Sequence, residues 1–388
     1  MRKKKIGILT YHHVLNEGAM MQTYSLMQAI KKYFPEYEIQ IIDYRPIKIV
    51  LKEYLRTFFP RKIKIFFRAL KRFYIFERFM YNNFPLSHTI YTNNYLTASR
   101  AIKGQYCAII VGSDEVWKIS EGLFCRKFPN IYWLPGNLGA LKFSFAASAN
   151  QTELKNFTST QKEWLYNSLI SFSLISVRDN RTLNLITDLC LNKHGSVFKI
   201  PDPTFMLDLP DLDLSELLKQ NGLDVQKPMV AVILKDIKIS RQIYEYFKSL
   251  DYQVVALSVN NDYADVNLLG KLNPLQWACV FKYFKFCVTH RFHGVIFSLK
   301  NKIPFLAMDD FFDYGENISK MKDLLDSLDM GEHYCSLSSF NISFLNALVL
   351  GRLEFQEKID LDEKLDEMRN ECFDYLCKIK KSMKNVVH

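Results

Sequence analysis

The segment Thr289-His290-Arg291-Phe292-His293-Gly294 sets a fixed cation and a titratable imidazole two positions apart, between two apolar runs. The run before it, 283–288, is β-branched and aromatic, as a strand would be. The run after it, 294–299, is an uncharged apolar turn suited to a buried helix. Such a junction lies at the carboxyl end of a strand, where open parallel sheets bind ligands. The unbonded N–H groups and positive dipole end of a helix starting near Gly294 favour an anion. Arg291 adds a planar fork matched to carboxylate or phosphate, and His293 adds proton transfer near neutral pH. Together they suit an anion-handling acid/base site. A satisfied structural histidine is the competing account. A His290–His293 metal pair lacks a third and fourth ligand at a metal-site spacing, so no metal is expected.

Three further loops follow strand-like runs. Residues 11–19 run through Asn16, Glu17 and Gly18 into a helix whose small first residues let a ligand approach backbone N–H groups. The dinucleotide glycine fingerprint is missing there, which argues against NAD. In Gly112-Ser113-Asp114, Ser113 or Asp114 suits a helix cap as well as a sugar hydroxyl. Arg178 closes another strand-like run, where a cleft-facing cation and a surface salt bridge to Asp179 are both open readings.

Positioning these loops requires strands and helices in alternation. The pattern gives strands at 4–10, 38–43, 106–111, 142–146, 174–177 and 197–200. Helices fall at 18–34, 161–170 and 179–189. After Pro201-Asp202-Pro203, a hinge by its two prolines, a second series begins. Its strands are 229–234, 253–258, 286–289 and 304–308, and its helices include 240–250, 275–281 and 319–328. A charged amphipathic helix occupies 355 to about 381. The expected division is an α/β lobe at 1–201, a second at 202–354 and a terminal helix at 355–388 that packs back.

The 388 residues, 48% hydrophobic and 24% charged, describe a globular chain of two domains. Eight scattered cysteines without a Cys-x-x-Cys pair fit a reduced cytoplasmic protein. No apolar stretch reaches the length of a signal peptide core or a membrane span. The charge of +10 is concentrated: Arg45 to Arg78 holds eleven basic residues against Glu53 and Glu77, a net +9. Nine aromatics through Phe79 interleave with them, in an insertion at about 46–84 that forms two helices broken at Pro60. That composition suits an interfacial helix on an anionic membrane. It equally suits a solvated face whose aromatics pack inward. Nucleic acid is not expected as a partner.

Read together, these segments resemble the polysaccharide pyruvyl transferase family. The matching pieces are the helix start 16–26, Ile42-Asp43-Tyr44-Arg45-Pro46, Val111-Gly112-Ser113-Asp114-Glu115-Val116-Trp117, Ile175-Ser176-Val177-Arg178, Asp202-Pro203-Thr204 and His290-Arg291-Phe292-His293-Gly294. The resemblance implies two Rossmann-like lobes of the GT-B kind with a cleft between them, and no cofactor. It implies phosphoenolpyruvate as donor and a sugar of an exopolysaccharide or its lipid-linked precursor as acceptor. The implied product is a cyclic pyruvate ketal. The cysteine usage and the basic segment suggest the cytoplasm, or the inner membrane face, as its place of work. The resemblance assigns donor binding to Arg178 and to the Arg-x-His element of Arg291 and His293, with the proton chemistry on His293 beside Arg291. The strand-end loops themselves add Gly294 to the donor side and place Asn16, Gly18, Ser113 and Asp114 on the acceptor side or cleft. Two departures, Glu17 and Glu115, place extra carboxylates near that site. A GT-B glycosyltransferase using a nucleotide sugar, and a non-catalytic protein acting through its basic segment, are the rival readings.

Overall fold

The computed structural model describes residues 3–59, 63–119, 128–190, 197–309, 319–351, 355 and 359–385. Pro60, Arg61 and Lys62, and with them the expected helix break, lie outside the described residues.

Strands of nearly unbroken apolar sequence alternate with helices, and each of two such series closes into a parallel sheet. The first series contains β1 (Lys5–Leu9), α1 (Glu17–Tyr33), β2 (Glu38–Ile41), β3 (Tyr44–Arg45), α2 (Ile47–Phe58) and α3 (Ile63–Asn83). It continues with β4 (Ile90–Tyr91), α4 (Tyr95–Ile102), β5 (Ala108–Val111), β6 (Leu141–Ser144), α5 (Ser159–Leu169), β7 (Ser176–Val177), α6 (Asn180–Cys190) and β8 (Phe198–Lys199). Its main sheet runs β2-β1-β5-β6, every pair parallel. Bridges from Phe143 to Leu174 and from Ala147 to Val177 extend it toward the β7–β8 pair.

The second series runs through α7 (Ser215–Gln220), β9 (Met229–Ile233), α8 (Ile237–Ser249), β10 (Gln253–Ala256), β11 (Val266–Asn267), α9 (Pro274–Cys279) and β12 (Phe286–Thr289). After these come α10 (Phe292–Lys300), β13 (Phe305–Asp309), α11 (Lys320–Ser327), β14 (Tyr334–Ser336), α12 (Ile342–Leu350) and α13 (Ile359–Lys384). Its sheet order is β11-β10-β9-β12-β13-β14, again all parallel. That is the doubly wound order, with its crevice where the order reverses, between β9 and β12. In the first sheet the reversal lies between β1 and β5. Strands β5, β9, β12 and β13 are buried at every position, as sheets covered on both faces require.

Helix α13 spans both lobes. At its start Asp362 pairs with Lys302 and Lys364 with Asp329, on the second lobe. Further on, Tyr375 packs its ring against Phe145 and Phe198, and Phe373 stacks on Tyr33 at 5.4 Å, on the first lobe. The expected hinge is otherwise placed: Asp202 and Pro203 are buried, and the turn Pro203–Met206 packs among α1, α10 and α13. The two prolines end the preceding strand but serve a packed element. No described helix is long and apolar enough to cross a membrane.

Candidate active site

The loops after β1, β5 and β12 face one cavity of about 550 Å³ between the lobes. It therefore lies outside the carboxyl ends of both sheets, at both reversals of strand order. Helices α1 and α10 point their N-termini into it, and the two are in contact.

His293 stands in the first turn of α10, with its side chain 10% exposed and facing the cavity. Its ring lies directly on Gly18: a Cβ at that glycine would be 2.2 Å from Nδ1. Close approach, not backbone conformation, is why glycine is needed there. On the ring's other edge Nε2 makes no hydrogen bond and stands 3.7 Å from Asp202 Oδ2, an ion-pair separation. Asp202 is fully enclosed and saturated on its remaining sides. Its Oδ1 accepts from Thr204 N at 3.0 Å and Thr204 Oγ1 at 2.7 Å, and its Oδ2 accepts from Arg178 Nη1 at 2.8 Å and Ser113 Oγ at 3.3 Å. Burial pushes the Asp202 carboxyl up, but His293 and Arg178 outweigh it and hold it well below the usual range. A buried anion thus faces the imidazole.

Arg291 is the N-cap residue of α10 and lines the cavity. Its backbone N–H donates to Thr289 Oγ1 at 2.9 Å, which fixes the strand-to-helix corner. Gly294 makes that corner possible, since a Cβ would meet Thr289 Oγ1 at 2.3 Å. Gly294 is itself buried and does not line the cavity, so its part is to shape the helix start rather than to touch a donor. His290 turns away: Nδ1 bonds the Ile233 carbonyl, and burial followed by Arg291 lowers its pKa to about 4.

The other expected residues divide. Asn16 and Gly18 line the cavity, and Asn16 Oδ1 caps α1 by accepting from Gly18 N and Ala19 N. Asp114 lines it as well, with Oδ1 taking Glu115 N at 2.9 Å and Arg178 Nη2 at 3.5 Å. No helix follows Ser113 or Asp114, so neither is a helix cap. Ser113 does not reach the cavity; it is 1% exposed, with its hydroxyl on Ala146 O and Asp202. Arg178 is likewise displaced from the expectation. Its side chain is 1% exposed, held by Asp202 and Asp114 rather than Asp179, and stacked 4.8 Å from the Phe292 ring centre. Asp179 instead caps α6 through Thr182. Arg178 faces a second cavity of about 410 Å³ behind Phe292 and Lys320.

Several site residues escape sequence reading. Asp202 stands in the sequence as a hinge acid and in a matching family segment, but without a role at the site. The two departure carboxylates are both neutralised: Arg72 from α3 reaches Glu17 Oε1 at 2.8 Å, and Lys320 Nζ reaches Glu115 Oε1 at 2.7 Å across the lobes. Burial would raise the Glu115 pKa, but Lys320 and Lys118 hold it far below the usual value. On the second-lobe wall, Ser258 Oγ and Trp277 Nε1 are buried with no hydrogen-bond partner among the described residues.

Comparison with known proteins agrees with this architecture. The chain superposes on a sucrose-phosphate synthase from Thermosynechococcus elongatus with a TM-score of 0.52 at 10% identity, covering 99% of this chain and 100% of the other. It superposes on a protein assigned as a UDP-N-acetylglucosamine 2-epimerase from Listeria monocytogenes with a TM-score of 0.51 at 11% identity, covering 93% and 91%. Likeness at such identity concerns the fold alone: two Rossmann-like lobes of the GT-B kind. No curated protein matches the sequence. The family described as polysaccharide pyruvyl transferase matches residues 16–310, a stretch that holds both walls of the cavity, and the chain therefore belongs to that family of transferases.

Proposed function

We propose that the cavity binds phosphoenolpyruvate and transfers its pyruvyl group to two hydroxyls of a sugar in a surface glycan or its lipid-linked precursor, as a cyclic ketal. The observation that carries this reading is the convergence, at two facing helix N-termini, of the Arg291 fork with a histidine backed by a buried carboxylate. Phosphoenolpyruvate presents a carboxylate and a phosphate on a three-carbon frame, and Arg291, Lys320 and the α10 N-terminus suit those charges.

His293, with Asp202 behind its Nε2, donates a proton from Nδ1 to the methylene carbon. C2 becomes electrophilic, and the first sugar hydroxyl adds to it and returns a proton to the imidazole. The C2–O bond to phosphate then breaks, and the second hydroxyl closes the ketal. One hydroxyl proton replaces that delivered to the methyl group, and the other leaves with phosphate. Cations beside the phosphate stabilise its departing charge. Arg178 acts through Asp202, keeping it ionised and aimed. Ser258 Oγ and Trp277 Nε1, which have no hydrogen-bond partner among the described residues, supply hydrogen-bonding groups for the acceptor's hydroxyls.

The test is phosphate release from phosphoenolpyruvate with a glycan acceptor, together with calorimetric titration of donor. His293→Ala should lower turnover about a hundredfold or more while donor affinity stays close to wild type. Binding of a nucleotide sugar without binding of phosphoenolpyruvate would overturn the proposal in favour of glycosyl transfer.

A further inference from the structure

Among the described residues, ten of the seventeen exposed large apolar side chains fall between Ile47 and Tyr81, on the two helices that carry the basic excess. On α2 they recur every fourth residue as Ile47, Leu51 and Leu55, and Phe59 continues the stripe past its end. On α3, Ile63, Phe67, Tyr74 and Tyr81 form another, with exposed Lys71 and Arg78 in the same register. The extremes stand at the hairpin tip, where Phe59 is 78% and Ile63 is 74% exposed. A soluble surface rarely gathers so many rings and branched chains, and a gathering rimmed by cations marks a binding face.

The opposite side of the hairpin packs on the protein. Phe58 packs on Phe73, and Phe76, Phe79 and Met80 join the core. Ile49 and Glu53 of α2 and Arg72 of α3 line the cavity. Arg68 bonds Asn260 of the second lobe, and burial together with Lys71 and Arg68 lowers the pKa of Lys271 beside them. A positive field therefore surrounds an outward apolar face whose back forms one wall of the cleft.

We infer that the tip and outer faces of the α2–α3 hairpin dock on an anionic lipid bilayer, seating the cavity mouth beside the membrane surface. Shallow insertion of Phe59, Ile63 and Phe67, with Lys71 and Arg78 at the headgroups, matches an interfacial amphipathic element. The inference rests on the transfer reading in one respect only: a bilayer would present a lipid-linked acceptor to the cleft.

Co-sedimentation of the full chain with vesicles tests it without any substrate, so its outcome is separate from that of the transfer reading. Phosphatidylcholine vesicles are compared with phosphatidylcholine–phosphatidylglycerol vesicles over a salt titration. Binding is expected only with the anionic lipid and should fall with salt. Each surface cation contributes about fivefold, so Lys71→Ser with Arg78→Ser should weaken binding roughly 25-fold. Phe59→Ser with Ile63→Ser should abolish pelleting and leave thermal stability and soluble-acceptor turnover unchanged, because both side chains are already in solvent. Equal pelleting with both vesicle types, none with either, or wild-type binding by the variants would overturn the inference. So would a chain that dimerises through this face, shown by light scattering as a dimer converted to monomer by the same substitutions, without vesicle binding.

Discussion

Gly18→Ala isolates the contact between the two lobes at His293, the proposed proton carrier. The added methyl would stand 2.2 Å from His293 Nδ1, 2.5 Å from Cγ and 2.8 Å from Cβ. Ordinary contact starts at 3.4 Å, so the imidazole must retreat by about 1.2 Å. Because His293 Cβ is also too close, side-chain rotation alone does not relieve the clash, and the first turn of α10 has to move. Overpacking of this kind costs about 1–3 kcal/mol, while alanine in place of glycine in a helix returns roughly 1 kcal/mol. The melting temperature should therefore change by only a few degrees. Catalysis should suffer more, since a misplacement of about 1 Å in an acid/base group costs on the order of a hundredfold. The assay is phosphate release at saturating donor, run in the wild type, Gly18→Ala, His293→Ala and the double variant. In the His293→Ala background the ring contacts are gone and only the 2.8 Å contact with Cβ remains, so Gly18→Ala should cost less further turnover than it does in the wild type. Wild-type turnover in Gly18→Ala, or an undiminished loss in the double variant, would refute the placement of His293 as the proton carrier.

Three other substitutions have outcomes fixed by what their side chains touch. His290 has its folded pKa lowered to about 4 from 6.5, so the unfolded chain takes up a proton first as pH falls. Its contribution is complete above pH 6.5 and lost between 6.5 and 4, by about 3 kcal/mol. His290→Gln should flatten denaturant-measured stability across that window. Asp202→Asn leaves the Arg178 guanidinium enclosed without its main counter-charge and should lose about 3–5 kcal/mol. As Asp202 is lowered in the folded chain, the variant should also lose that carboxylate's share of the acid-side decline, which sets in below roughly pH 4. Arg291→Lys keeps the charge but removes the fork, and calorimetry should show donor affinity about tenfold weaker or more.

Both series of strands were legible because buried parallel strands are written as apolar runs: Met229–Ile233 and Ala108–Val111 contain no polar residue. The cleft location followed from the same pattern, since Arg291 and His293 come directly after such a run. Partners distant in sequence were not legible. Nothing local connects Arg178 to Asp202, 24 residues on, or Arg72 to Glu17, 55 residues back. Arg178 and Ser113 read as cleft residues because they end strands, but only the fold shows that Asp202 draws both inward. The basic insertion read as a surface feature, because hydropathy records amphipathicity and not what the inner face meets; Ile49 and Arg72 make it a wall of the cavity. Short pieces such as Tyr95–Ile102 and Ile342–Leu350 carry too few turns for a period to emerge.

The Glu115–Lys320 pair crosses from one lobe to the other at the cavity wall. Lys320 is one of the cations that suit a phosphate, so an arriving anion competes with Glu115 for the same ammonium. A Lys320 that turned to such an anion would leave Lys118 at 3.4 Å and Asn150 to offset the burial of Glu115, whose affinity for protons would rise. Occupancy of the cleft by such an anion would thereby be tied to the ion pair that joins the lobes. Glu115→Gln, which frees Lys320, should tighten donor binding measured by calorimetry.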